Sequence, residues 1–175
     1  RLNGRNAPEL SYAPRVDYLP ASALALPGRL GMTRAPGRWS PGRPLDSDVR
    51  LREDLDAIAG VHEAKVLVTL LERIEIAQLG PLGREARRAG LTWVHFPIPD
   101  MWAPEDGAAA RRLVERILGS LERGDHVVVH CWGGLGRAGT IAASCLVARG
   151  APPADAIALV RATREAEHIT CVIVA

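Results

Sequence analysis

The sequence predicts an α/β fold, a central, mostly parallel sheet flanked by helices, and three observations carry that prediction. Two short, continuous apolar runs, Lys65 to Leu71 and Asp125 to His130 around Val127-Val128-Val129, read as strands covered on both faces. Stretches with helical spacing separate the strands, the clearest from Glu105 to Arg123, where Ala109, Leu113, Val114, Ile117, Leu118 and Leu121 share one face. The resulting alternation of strand and helix implies parallel strands joined by right-handed crossovers.

The elements follow in order. Residues 1–45 carry Pro8, Pro14, Pro20, Pro27, Pro36, Pro41 and Pro44, which exclude long helices. This segment reads as a Pro/Gly-rich lead-in packed on the core, with a short strand at Arg29 to Thr33 and a turn at Pro36-Gly37. Residues 46–175 read as the main body of a single domain. Val49, Leu51, Leu55, Ile58 and Ala59 fall near helical spacing behind the caps Asp46 and Ser47, predicting a helix over 47–59 that stops at Gly60. After the 65–71 strand come helical stretches at 72–79 and 82–89, a strand at 91–96, and a loop stiffened by Pro97, Pro99 and Pro104. The helix at 105–123 ends at Gly124. A strand at 125–130 leads into a helix over 137–149, with Ile141, Ala142, Cys145 and Leu146 inward. A last helix spans 153–164 behind Pro152 and Pro153.

Composition bounds the function. A chain of 175 residues with 47% hydrophobic content builds one substantial core, and a formal charge of +2 gives no global field toward nucleic acid or a membrane. No apolar run reaches the roughly 20 residues of a membrane span, and residues 1–30 lack the order of a signal peptide, so a cytoplasmic location is expected. The three cysteines, Cys131, Cys145 and Cys171, lack the paired spacing of zinc sites and do not suggest a disulfide scaffold. His62, His95, His126 and His168 show no ligand spacing either. No metal and no cofactor is called for.

The chemistry concentrates at residues 130–137, His-Cys-Trp-Gly-Gly-Leu-Gly-Arg, between a strand and a helix. In a parallel sheet this is where ligands bind, beyond the carboxyl ends of the strands. Gly133, Gly134 and Gly136 permit a loop whose backbone N–H groups curl toward one centre, with Trp132 and Leu135 completing the cradle, and the following helix adds its positive pole. Such a loop suits a tetrahedral dianion. Cys131 opens it, where inward N–H groups favour a thiolate near neutral pH. Arg137 closes it, with a planar fork that holds two phosphate oxygens. Attack by sulfur on a bound phosphoryl group would give a phosphocysteine that water later hydrolyses.

This string matches H-C-x-x-G-x-x-R and so resembles the signature of protein tyrosine and dual-specificity phosphatases. It is most similar to the branch of the cyclin-dependent kinase-associated phosphatase and its bacterial relatives. The resemblance runs from about Gly28 to Arg164 and takes in Pro36-Gly37, Glu72 to Gly80 and Phe96-Pro97-Ile98-Pro99-Asp100. It implies a protein tyrosine phosphatase-like fold with a catalytic domain over 46–175.

A departing ester oxygen needs a proton donor, and relatives carry their general-acid aspartate where Asp100 stands. Asp106 and Glu105 are the alternatives. The resemblance assigns His130 to ordering the loop. It also places Ala138 where relatives carry a serine or threonine hydroxyl that helps the thiolate depart; Thr140 is the candidate substitute, and slow phosphocysteine breakdown is expected. Glu72 and Glu75 fit an acidic stretch of relatives or an ordinary surface helix. Arg161 and Arg164 fit a phosphate-side arginine pair or a solvated basic face. Trp132 and Leu135 stand where phosphoinositide phosphatases carry lysines, which disfavours that substrate class. Cys145 and Cys171 read as inert core residues.

The leading expectation is a phosphatase of phosphotyrosine proteins or peptides, extending to phosphoserine and phosphothreonine. Alternatives are a catalytically weak phosphate-recognition module and a phosphatase of a small phosphorylated metabolite. A rhodanese type of sulfur transfer ranks below these, since it gives no reason for the Asp100 loop.

Overall fold

The computed structural model describes residues 14–164. Its centre is a five-stranded sheet in the order β1-β2-β5-β3-β4, formed by β1 (Asp17–Tyr18), β2 (Leu30–Thr33), β3 (Ala64–Thr69), β4 (Thr92–His95) and β5 (His126–His130). Only β1 runs antiparallel, against β2; β2, β5, β3 and β4 are parallel. The helices are α1 (Ala21–Leu24), α2 (Ser47–Gly60), α3 (Arg73–Ala77), α4 (Leu82–Arg88), α5 (Gly107–Glu122), α6 (Gly136–Ala148) and α7 (Pro153–Thr163). This is the α/β class expected, with a mixed and mostly parallel sheet.

The central strands bury as their composition requires. Val127, Val128 and Val129 of β5 and Leu67 and Val68 of β3 are fully buried, because the sheet is covered on both faces. The expected strand at Arg29 to Thr33 is an interior strand, β2, paired from Leu30 to Val127 through Thr33 to His130. Neither β1 nor α1 was signalled, since two and four residues are too few to show a period.

Helix α2 begins where predicted, capped by Asp46, whose side chain accepts from the N–H groups of Asp48 and Val49. Its inward face differs from the expected one. Val49 is 42% exposed, whereas Arg50 and Asp54 are buried with Leu51, Leu55 and Ile58. The reason is the Pro36-Gly37 turn. Asp54 accepts from Gly37 N–H at 2.7 Å and from Arg43 Nη1 at 2.6 Å, while Arg50 Nε donates to Gly37 O at 3.1 Å. Buried charge is tolerated there because each group finds its partner. Gly37 has φ of 79°.

Helix α5 buries Ala110, Leu113, Val114, Ile117 and Leu121, close to the predicted face. Helix α6 is buried along ten consecutive residues from Arg137 to Leu146, and it is the element on which the site rests. Among the described residues, no helix is long and apolar enough to cross a membrane.

Candidate active site

The loop from Cys131 to Leu135 leaves the carboxyl end of β5 and enters α6 at Gly136. Two neighbouring strand ends hold it. Leu70 N–H donates to His130 O at 3.0 Å, and Ala35 N–H donates to Trp132 O at 3.0 Å. Gly134 lies against the end of β2 with φ of 73°, and a β-carbon there would stand 2.3 Å from Thr33 O. Both the conformation and the close approach demand glycine. No side chain caps the first turn of α6, so its amides remain available to an anion held by the loop.

Cys131, Trp132, Gly133, Leu135, Gly136, Arg137 and Thr140 border one cavity of about 200 Å³ together with Asp100, Met101 and Trp102. The structure therefore gathers the expected thiol, guanidinium and carboxyl groups in one place. Cys131 is 4% exposed. Asp106 does not join them: it caps α5 by accepting from Ala109 N–H at 2.9 Å. Asp100 sits on a tight turn, where Trp102 N–H donates to Pro99 O at 3.1 Å and Met101 N–H donates to Asp100 Oδ1 at 3.0 Å.

Arg137 shows the electrostatic plan of the site. It makes a bidentate pair with Glu75, with Nη1 to Oε2 at 2.7 Å and Nη2 to Oε1 at 2.8 Å, and Nη1 also donates to Ile98 O at 3.1 Å. Asp100 Oδ1 lies 3.3 Å from Nη2. Burial alone would favour the neutral guanidine, but the bonds to Glu75 and the nearby Cys131 and Asp100 raise the Arg137 pKa above its ordinary value. Burial likewise pushes Glu75 upward, and the hydrogen bonds from Arg137 and Glu72 outweigh it, holding the carboxyl below its usual range.

Glu75 is thus no ordinary surface residue, although it lies on a helix with no buried position. It also accepts from Glu72 N–H at 2.8 Å, so a capping box fixes the carboxylate that fixes the arginine. Its location just past a parallel strand was the available signal.

His130 is fully buried. Its Nε2 lies 2.7 Å from Thr69 Oγ1, which accepts from Trp93 Nε1 at 2.8 Å, and its Nδ1 lies 3.3 Å from Cys131 O. The indole can only donate and the carbonyl can only accept. The consistent assignment has the Thr69 hydroxyl donating to Nε2 and Nδ1–H donating to Cys131 O. Burial pushes the imidazole pKa down to about 4, aided by Arg137 and His95 and opposed by the bond to Cys131. His130 is neutral at pH 7 and is bonded to the backbone at the start of the loop.

Arg164 caps α7 and reaches beneath the loop. It pairs with Asp17 and donates to Met32 O at 3.2 Å and Gly133 O at 3.4 Å, its side chain only 10% exposed. It does not belong to a solvated basic face. Ala138 is fully buried in α6 where a hydroxyl was expected, and Thr140 borders the cavity two residues on. Cys145 is a free, fully buried thiol whose pKa burial raises to about 12. Cys171, His168 and the tail 165–175 lie outside the described residues. Among the described residues, no cluster of three or more His, Cys, Asp or Glu side chains is placed to hold a metal.

Comparison with known proteins agrees with this fold. The kinase associated phosphatase superposes with a TM-score of 0.75 at 23% identity, over 87% of this chain and 84% of that one. Tk-PTP in its active form gives 0.64 at 28% identity, over 81% and 84%. PTPMT1, in a complex with PI(5)P, gives 0.64 at 21% identity, over 82% of each chain. No curated protein sequence matches. The family model described as "Polymorphic toxin system, DSP-PTPase phosphatase" matches residues 47–151, more than half of the sequence and the whole stretch from α2 through the loop and α6. Fold, loop and family match converge, and the chain belongs to the Tc-R-P family of DSP-PTPase phosphatases.

Proposed function

We propose that this phosphatase hydrolyses phosphomonoesters through a phosphocysteine, with Cys131 as nucleophile, Arg137 and the loop amides as phosphate clamp, and Asp100 as general acid. The observation that carries the reading is the single cavity bordered by Cys131, Arg137 and Asp100. Arg137 spends both Nη1 protons on Glu75 and Ile98 O and one Nη2 proton on Glu75, so the phosphoryl group would take its Nε–H and second Nη2–H together with the N–H groups of Trp132 to Arg137. Sulfur attacks phosphorus, the S–P bond forms, and the P–O ester bond breaks on the side away from sulfur. Asp100 gives its proton to the departing oxygen. Water then attacks the phosphorus and gives its proton to the Asp100 carboxylate, and the S–P bond breaks to release phosphate and the Cys131 thiolate, which completes the cycle.

We take the substrate to be a phosphorylated protein or peptide, with phosphotyrosine preferred and phosphoserine and phosphothreonine accepted. The cavity supports this: among the described residues that border it, Arg137 is the only cation, which favours a substrate carrying a single phosphate. One observation favours a catalytically weaker, phosphate-recognising protein, namely the buried Ala138.

Turnover of a generic aryl phosphate tests the proposal. Wild type should turn over and Cys131→Ser should not; equal rates would overturn the enzymatic reading. Asp100→Ala should lower kcat by about 10²-fold or more, and the loss should shrink with leaving groups that depart without a proton.

A further inference from the structure

Two large apolar side chains at the mouth of the cavity are left in water. Met101 is 77% exposed and Trp102 is 73% exposed, yet both border the cavity that holds Cys131 and Arg137. A tryptophan so exposed contributes little to the core, and an exposed cluster of large apolar groups beside a site is the informative exception to ordinary burial. The backbone is arranged to put them there. Met101 has φ of 65°, in the left-handed region that a β-carbon disfavours, and its N–H donates to Asp100 Oδ1 at 3.0 Å. Trp102 is closed onto Pro99 O at 3.1 Å. Strain of this kind persists where the surroundings require it. Here one turn fixes a carboxyl and two apolar side chains together.

The reaction geometry gives the turn its occupant. In-line displacement by Cys131 sends the ester oxygen away from sulfur, and Asp100 must lie within hydrogen-bond reach of that oxygen to protonate it. Whatever that oxygen carries therefore lies beside Asp100, and so beside Met101 and Trp102. Trp132, half-buried, adds a further ring to the cavity, and Arg38 pins it: the guanidinium carbon lies 5.8 Å from the ring centroid and Nη1 lies 3.5 Å from Trp132 O. The surroundings of the leaving group are thus largely aromatic and apolar, and among the described residues that border the cavity Arg137 is the only cation.

We infer that Met101 and Trp102 form a leaving-group wall that selects aryl over alkyl phosphate esters. An aromatic ring on the ester oxygen packs against Trp102, whereas the single methylene of phosphoserine carries no ring to place there. This inference rests on the proposed phosphatase reading, and it assigns specificity to residues outside the phosphate loop.

Paired peptides of one sequence, carrying phosphotyrosine or phosphoserine, test it in wild type, Trp102→Ala and Trp102→Phe. Trp102→Ala should lower kcat/KM for the phosphotyrosine peptide by about tenfold, mainly through KM. The phosphoserine rate and competitive inhibition by inorganic phosphate should change less than about twofold. Trp102→Phe should retain most of the aryl rate. Binding of the phosphotyrosine peptide to Cys131→Ser, with and without Trp102→Ala, provides a readout independent of turnover. An equal loss on both peptides, weakened phosphate inhibition, or no loss on either would overturn the wall. Turnover absent in wild type would overturn the phosphatase reading, whereas aryl turnover indifferent to Trp102 would overturn only this inference.

Discussion

Protonation of His130 is the perturbation whose cost can be worked most directly. The ring is fully buried, and each nitrogen is committed to the neutral form, Nδ1–H toward Cys131 O and Nε2 toward the Thr69 hydroxyl. A proton on Nε2 would require the Thr69 oxygen to accept while it already accepts from Trp93, and the displaced hydroxyl hydrogen would need a new partner. Burial therefore lowers the pKa from 6.5 to about 4. Because the folded value lies below the unfolded one, the unfolded chain binds the proton more readily. Stability is complete above about pH 6.5 and is lost as pH falls toward about 4. At 1.36 kcal/mol per unit the whole interval is worth about 3 kcal/mol, of which about 2 kcal/mol disappears between pH 7 and pH 5.

Urea unfolding at pH 7, 6 and 5 measures this in wild type and in His130→Asn. The variant starts less stable, but its loss between pH 7 and pH 5 should be smaller by about 2 kcal/mol. Parallel losses in the two proteins would refute the assignment. Glu75 does not blur the comparison. Its carboxyl is held below the ordinary value of 4.5, so its contribution is present above that value and fades only as pH falls further.

Three further outcomes follow from the site. Glu75→Gln should break the bidentate pair, lower the unfolding free energy by about 2 kcal/mol and raise KM for an aryl phosphate, measured by urea titration and steady-state kinetics. Ala138→Ser should speed breakdown of the phosphocysteine; rapid mixing should show the pre-steady-state burst of wild type diminished in the variant, and an unchanged turnover without a burst in either protein would contradict slow breakdown. Gly134→Ala places a β-carbon 2.3 Å from Thr33 O at a positive φ. It should displace the loop and weaken competitive inhibition by inorganic phosphate by about tenfold or more.

Much of this protein was determined by its sequence alone. The β-branched run of β5, the glycines after it and the apolar face of α5 are local patterns, and local patterns specify strand, loop and helix without reference to the rest of the chain. The same holds for the cap at Asp46 and the prolines at the start of α7. Cys131, Arg137 and their cradle lie within eight residues, so strand, loop and helix bring them together by local geometry. Asp100 was reached through resemblance, and the tertiary structure joined it to the same cavity.

What only the tertiary structure decided involves partners distant along the chain. Glu75 meets Arg137 across 62 positions, Thr69 meets His130 across 61, and Arg164 meets Met32 across 132. No period or spacing records such pairings, because they arise when the parallel strands align their carboxyl ends. The inward Asp54 in place of Val49 has the same origin: the Pro36-Gly37 turn supplies an N–H that must be satisfied, and an acidic residue on α2 becomes a core residue. Exposure is collective as well. The sequence presents Met101 and Trp102 as apolar residues like any others, and only the folded chain leaves them in water at the mouth of the cavity.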